Sequence, residues 1–169
     1  MSYPVFTLVF ATGLLSLVAG WDIARRRIPN WANAALGATG LGAQVLFHGW
    51  RAALGGLGAA ILCLVILWKP WTKGKLGGGD VKATLCAATW LGLSALPRFF
   101  VMGAVIVGVL ALVSYFASSR TVRQEVRQNL KLVALRAMPE APIRSGNGRV
   151  SVPFGAGAAA SAILMLWWT

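Results

Sequence analysis

Residues 73–96, KGKLGGGDVKATLCAATWLGLSAL, set three consecutive glycines in front of Asp80 and then run into an apolar segment. Acidic residues are scarce in this chain. Among 169 residues there are four, Asp22, Asp80, Glu125 and Glu140. The composition around Asp80 is that of a protein whose solvent is lipid. Hydrophobic residues make up 57% and charged residues 12%, with a mean hydropathy of +0.70, whereas a soluble domain carries about a quarter charged residues. The length suits one domain, residues 1–169.

The segment after Asp80 is one of six apolar runs, roughly residues 4–21, 31–47, 52–68, 81–96, 99–117 and 152–168. Each approaches the ~20 residues that cross a bilayer core as helix. The expected fold is therefore all-α, a polytopic integral membrane protein with about six transmembrane helices. The first run lacks the basic start of a signal peptide and is followed by positive charge, which favours a retained helix. Cys63 and Cys86 lie within apolar runs and form no CxxC pair. They read as packing residues rather than zinc ligands, and no metal or cofactor is expected.

Net charge is +12, which in a soluble chain would suggest nucleic acid. Its distribution says otherwise. Arg25, Arg26 and Arg27 follow the first run, and Lys69, Lys73, Lys75 and Lys82 surround the third connection. Arg120, Arg123, Arg127, Lys131, Arg136, Arg144 and Arg149 fill the fifth, while the second and fourth hold Arg51 and Arg98 alone. Cytoplasmic loops collect Lys and Arg. The odd connections therefore face the cytoplasm and both termini face out, with membrane lipid rather than nucleic acid as the surrounding partner. This topology puts Asp22, after the first helix, and Asp80, before the fourth, at the same cytoplasmic face.

The fifth connection, about 118–151, is the long one. Its first half, RTVRQEVRQNLKLVALRAM (120–138), aligns Val122, Val126, Leu130, Val133 and Ala137 on one stripe beside Arg123, Arg127 and Lys131. That pattern suits a basic helix lying on anionic headgroups. Its second half, PEAPIRSGNGRV (139–150), reads as loop.

Each aspartate has a plain structural reading. Asp22 can pair with Arg25 or Arg26 one turn on, and Asp80 can cap the fourth helix, whose dipole suits its charge. Capping does not explain Gly77, Gly78 and Gly79. Glycines permit a positive φ and close approach of another backbone, but the GxxxxGK[ST] spacing of a phosphate loop is absent. A bare backbone beside a carboxylate suits an extended peptide. Two aspartates sharing one proton can drive water onto an amide bond, one as base and the other as acid.

Three segments together resemble the type IV prepilin peptidases, a family of GxGD-type membrane aspartic proteases. DIARRRIPN (22–30) resembles their first signature, GGGDVK (77–82) their GxGD signature, and VPFGAGAAA (152–160) the segment opening their last helix. The resemblance implies Asp22 and Asp80 as the catalytic pair, with Gly77 and Gly79 as motif glycines. Lys82 matches the family's lysine, and an electrostatic bias on the pair is our inference for it. Pro29 and Asn30 take a structural role, a turn and an N-cap for the second helix, and Pro153, Phe154 and Gly155 would pack near the site.

The chain lacks the paired CxxC motifs and extra cytoplasmic domain of many members, so N-methyltransferase activity is not expected. It resembles the short, single-activity branch serving Flp/Tad-type pili. The implied substrate is a prepilin or pseudopilin with a basic leader and apolar helix, cut at the cytoplasmic face of the bacterial inner membrane, and the implied partner is the pilus assembly machinery. The alternatives are a proton-coupled transporter or channel subunit using the same carboxylates, or a non-catalytic secretion component. Against the transporter, both carboxylates lie at one face, whereas a proton relay needs groups along a path.

Overall fold

A computed structural model of the chain describes residues 3–25, 28–74, 76–121, 123–124, 126–128 and 154–168. The described residues form helices α1 (Val5–Arg25), α2 (Asn30–His48), α3 (Trp50–Thr72), α4 (Gly78–Leu91), α5 (Leu96–Ala117) and α6 (Phe154–Trp168), with a 3-10 turn at Leu93–Ala95. Each of the six apolar runs thus contains a helix. Three stretches, Val5–Arg25, Trp50–Thr72 and Leu93–Ala117, are long and apolar enough to cross a membrane, and α6 is a shorter apolar helix. The protein is an integral membrane protein on this evidence.

The chain divides into two compact units, residues 1–107 with 153–169, and residues 108–152. In the second, α5 ends at Ala117 and the Ser118 hydroxyl donates back to the Ser114 carbonyl at 2.5 Å. Of the amphipathic stripe expected over 120–138, Val126 is in a helical stretch, whereas Val122, Leu130, Val133 and Ala137 lie outside the described residues, as does the loop 139–150.

The first unit is built around α4, which packs against α2, α3 and α6. Val81, Ala83, Thr84 and every residue from Ala87 to Leu91 are buried. The fourth run is not one continuous span. Its helix has 14 residues, about 21 Å at 1.5 Å per residue against a hydrocarbon core of about 30 Å. It stops at Gly92, whose φ of 74° is one that glycine takes without strain.

Ending a helix inside an apolar bundle strands its last carbonyls, and here side chains meet them. Gln44 Nε2 donates to the Trp90 and Thr89 carbonyls at 3.0 and 3.3 Å, and the Tyr3 hydroxyl donates to the Trp90 carbonyl at 2.9 Å. The Trp90 indole, itself buried, returns a bond to the Leu36 carbonyl at 2.9 Å. Close approach of the helices needs missing side chains. A Cβ on Gly56 would lie 2.6 Å from the Thr89 carbonyl oxygen, and one on Gly40 would lie 2.7 Å from Trp90 Cδ1.

On α1 the buried residues Thr7, Ala11, Leu15, Val18 and Asp22 recur every three or four positions and form one stripe. Val5, Phe6, Val9 and Phe10 are exposed, as suits a helix bathed in lipid. α6 packs against α1 and α4 through small residues, Gly155 to Ala159 with Ser161 and Ala162, all buried. Such residues let helix backbones come close where no hydrophobic force operates between helices.

Two stability predictions arise from this packing. Gly56→Ala should lower stability in detergent by about 2 kcal/mol, because a backbone carbonyl cannot step aside. Gly55→Ala, where a Cβ meets nothing within 4 Å, should be neutral or slightly stabilising; thermal unfolding of the two compares them. Burial pushes the Tyr3 hydroxyl from its ordinary value of 10.0 up to about 12. The folded chain therefore keeps that proton where the unfolded chain loses it, and stability falls as pH rises from 10 towards 12. Tyr3→Phe should cost about 1 kcal/mol at neutral pH and should remove that part of the alkaline loss in pH-dependent unfolding.

Candidate active site

Asp22 and Asp80 meet at one end of the first unit. Asp22 does not follow the first helix, as the hydropathy suggested, but lies inside its last turns on the buried stripe, 5% exposed. Asp80 is the third residue of α4 and half-buried. It is not an N-cap: Gly77 holds that position, with no side-chain capping bond. The carbonyl of Asp80 accepts the Thr84 hydroxyl at 2.8 Å.

What joins the two aspartates is the first turn of α6. The Gly155 amide donates to Asp80 Oδ1 at 3.0 Å, and the next amide, Ala156, donates to Asp22 Oδ2 at 2.9 Å. The first four N–H groups of a helix have no intrahelical acceptor, and the positive end of the helix dipole favours negative charge there. A methyl group on Gly155 would sit 3.1 Å from each of these two oxygens and 2.8 Å from Ile28 Cδ1. One point this near to both oxygens means that they are separated by no more than twice that distance. The two carboxylates therefore border one small shared space beside Gly155.

The glycine run works differently from the expectation. None of its residues has a positive φ; among the described residues that conformation belongs to Gly49, Gly74 and Gly92. Gly77 is extended, with φ −70° and ψ 143°, and Gly78 and Gly79 are the first residues of α4. The requirement is space. A Cβ on Gly77 would lie 2.9 Å from Asp80 Oδ2, whereas one on Gly79 would make ordinary contact with Ile28 at 3.7 Å.

Lys82 and Asn30 are joined to each other. The Lys82 ammonium donates to Asn30 Oδ1 at 3.0 Å, tying the start of α4 to the start of α2. Asn30 is therefore not the N-cap; Pro29 holds that position, and its carbonyl accepts the Ala32 amide at 3.1 Å. Phe154 opens α6, and Pro153 lies outside the described residues.

Sequence reasoning missed Ile28, Thr84 and Ala156. Ile28 is a lone apolar residue between Arg27 and Pro29, and its burial beneath Gly79 and Gly155 was hinted at by that isolation. Ala156 acts through its backbone, which leaves no mark in the choice of side chain.

The profile of the type IV leader peptidase family matches residues 8–112, a span that holds both aspartates and the glycine run. No match was found among curated proteins or among solved structures. With more than half of its length matched, the chain belongs to the type IV leader peptidase family.

Proposed function

We propose that the protein is a membrane-embedded aspartic endopeptidase that removes the basic leader of a type IV prepilin or pseudopilin, with Asp22 and Asp80 as the catalytic pair. The observation that carries this reading is the convergence of these carboxylates, the two aspartates of the chain, on Gly155. The pair works with one proton between them. The ionised member takes a proton from a water held between the carboxylates, while the protonated member donates to the oxygen of the scissile carbonyl as the hydroxide adds. The newly protonated carboxyl then gives its proton to the leaving nitrogen while the other carboxylate takes one from the gem-diol, which breaks the C–N bond, releases the amine and the new carboxyl terminus, and leaves one proton on the pair. Gly77, exposed and extended beside Asp80 Oδ2, leaves room for a peptide backbone on that side.

The finer reading has six spans, with the dyad at the cytoplasmic face of the inner membrane because the basic connections collect there. Cys63 and Cys86 form no CxxC pair, which fits the single-activity branch serving Flp/Tad-type pili. A proton-coupled transporter fits less well, since its carboxylates would be strung along a path rather than gathered at one end.

In proteoliposomes with a prepilin, Asp22→Asn and Asp80→Asn should each lower leader cleavage by about 10³-fold or more with membrane insertion unchanged. Near-normal turnover in either variant would remove the dyad. Chelators should leave the rate unaltered, because carboxylates activate the water. The motif glycines should divide: Gly77→Ala, which presses on Asp80, should slow cleavage at least about tenfold, a misplacement effect. Gly79→Ala should cleave at close to the native rate. Equal behaviour of the two would show that space beside Asp80 is not what Gly77 supplies.

A further inference from the structure

We propose that the first turn of α6 is the positioning element of the site: the backbone amides of Gly155 and Ala156 set the distance between the two carboxylates. The proposal rests on the reading of Asp22 and Asp80 as the catalytic pair and adds a third element to it. Asp22 belongs to α1 and Asp80 to α4, and α6 packs against both of those helices. Consecutive amides of one helical turn have a fixed spacing. When each amide holds one carboxylate oxygen, at 3.0 and 2.9 Å, that spacing is imposed on the pair. The amides act through the aspartates whose oxygens they hold.

Gly155 has a second role at the same place. Its missing side chain leaves the volume into which Asp22 Oδ2, Asp80 Oδ1 and Ile28 Cδ1 all converge. A methyl group there would press both oxygens off their amides. The neighbouring small residues, Ala156 to Ala159, allow the whole turn to approach this closely.

The test uses the full chain in proteoliposomes, with a synthetic peptide of basic leader and apolar helix as substrate, and reads kcat and KM separately. Replacing Ala156 by lactic acid, or Gly155 by glycolic acid, exchanges one N–H for an ester oxygen of nearly the same shape. Each ester should lower kcat by about 10- to 100-fold, the weight of one hydrogen bond to a charged group, and leave KM unchanged. Gly155→Ala should lower kcat at least as much. Adding Ile28→Val, which removes the Cδ1 nearest the new methyl, should not restore the rate, because the carboxylates remain displaced. Native kcat in both ester variants would overturn the proposal, and so would full rescue of Gly155→Ala by Ile28→Val, which would reduce Gly155 to a packing residue. Either result, alongside inactive Asp22→Asn and Asp80→Asn, would leave the dyad standing and remove the positioning role alone.

Discussion

Two groups that lipid tolerates badly meet at the start of α6 and satisfy each other. A backbone N–H without an acceptor is costly in hydrocarbon, and so is a carboxylate, by about 2.5–3.5 kcal/mol at mid-bilayer and less towards the interface. The N-terminal turn of α6 presents the first kind, and Asp22 and Asp80 are the second. Their bonds at 2.9 and 3.0 Å offset part of both costs at once. Neither partner can be left alone, which makes the contact a strong constraint on how α1, α4 and α6 come together. The small residues of α6 are the means, since bulky side chains would hold its backbone away from α1 and α4.

The opposite end of α4 obeys the same rule with different atoms. A 14-residue helix cannot bring both its ends to water across a full bilayer core. At the near end Asp80 takes an amide from α6, and at the far end Gln44 and Tyr3 donate to the last carbonyls. α4 is thus fastened at both termini by polar groups from other helices and filled between them by Ala, Val, Leu and Trp. Glycines at 40 and 56 allow α2 and α3 to close on its far half. A shift of α4 along its own axis would break bonds at both ends, and Asp80 therefore holds a defined depth relative to Asp22.

Much of this was legible in the order of charges and apolar runs. The concentration of Lys and Arg in odd connections, together with the spacing of the runs, put Asp22 and Asp80 at one end of the bundle. All six runs contain helices. The boundaries were less legible for a physical reason: hydropathy registers the cost of Asp22 in lipid but not the partner that offsets it, so the first run was ended at Trp21 when the helix continues to Arg25. The caps were misread in the same manner. Asn30 and Asp80 have good capping side chains, yet each is engaged elsewhere, Asn30 by Lys82 and Asp80 by Gly155. The amides of Gly155 and Ala156 left no trace at all, because any residue but proline supplies one.

The remaining question is why glycine is needed at so few of the places where it occurs. Asp80 supplies the answer through its two oxygens. Oδ1 faces Gly155 and Oδ2 faces Gly77, each at a distance where a Cβ would intrude. The carboxylate is therefore set between two positions without side chains, one on α6 and one at the entrance to α4. On the Gly155 side the backbone N–H donates a hydrogen bond to Oδ1. The Gly77 side opens outward, since Gly77 is exposed, and a side chain there would crowd the second oxygen. Gly78 and Gly79, whose added Cβ atoms would find ordinary distances of 3.5 and 3.7 Å, carry no such demand. The glycine run thus separates by position: its first residue shapes the approach to the acid, and the other two begin a helix.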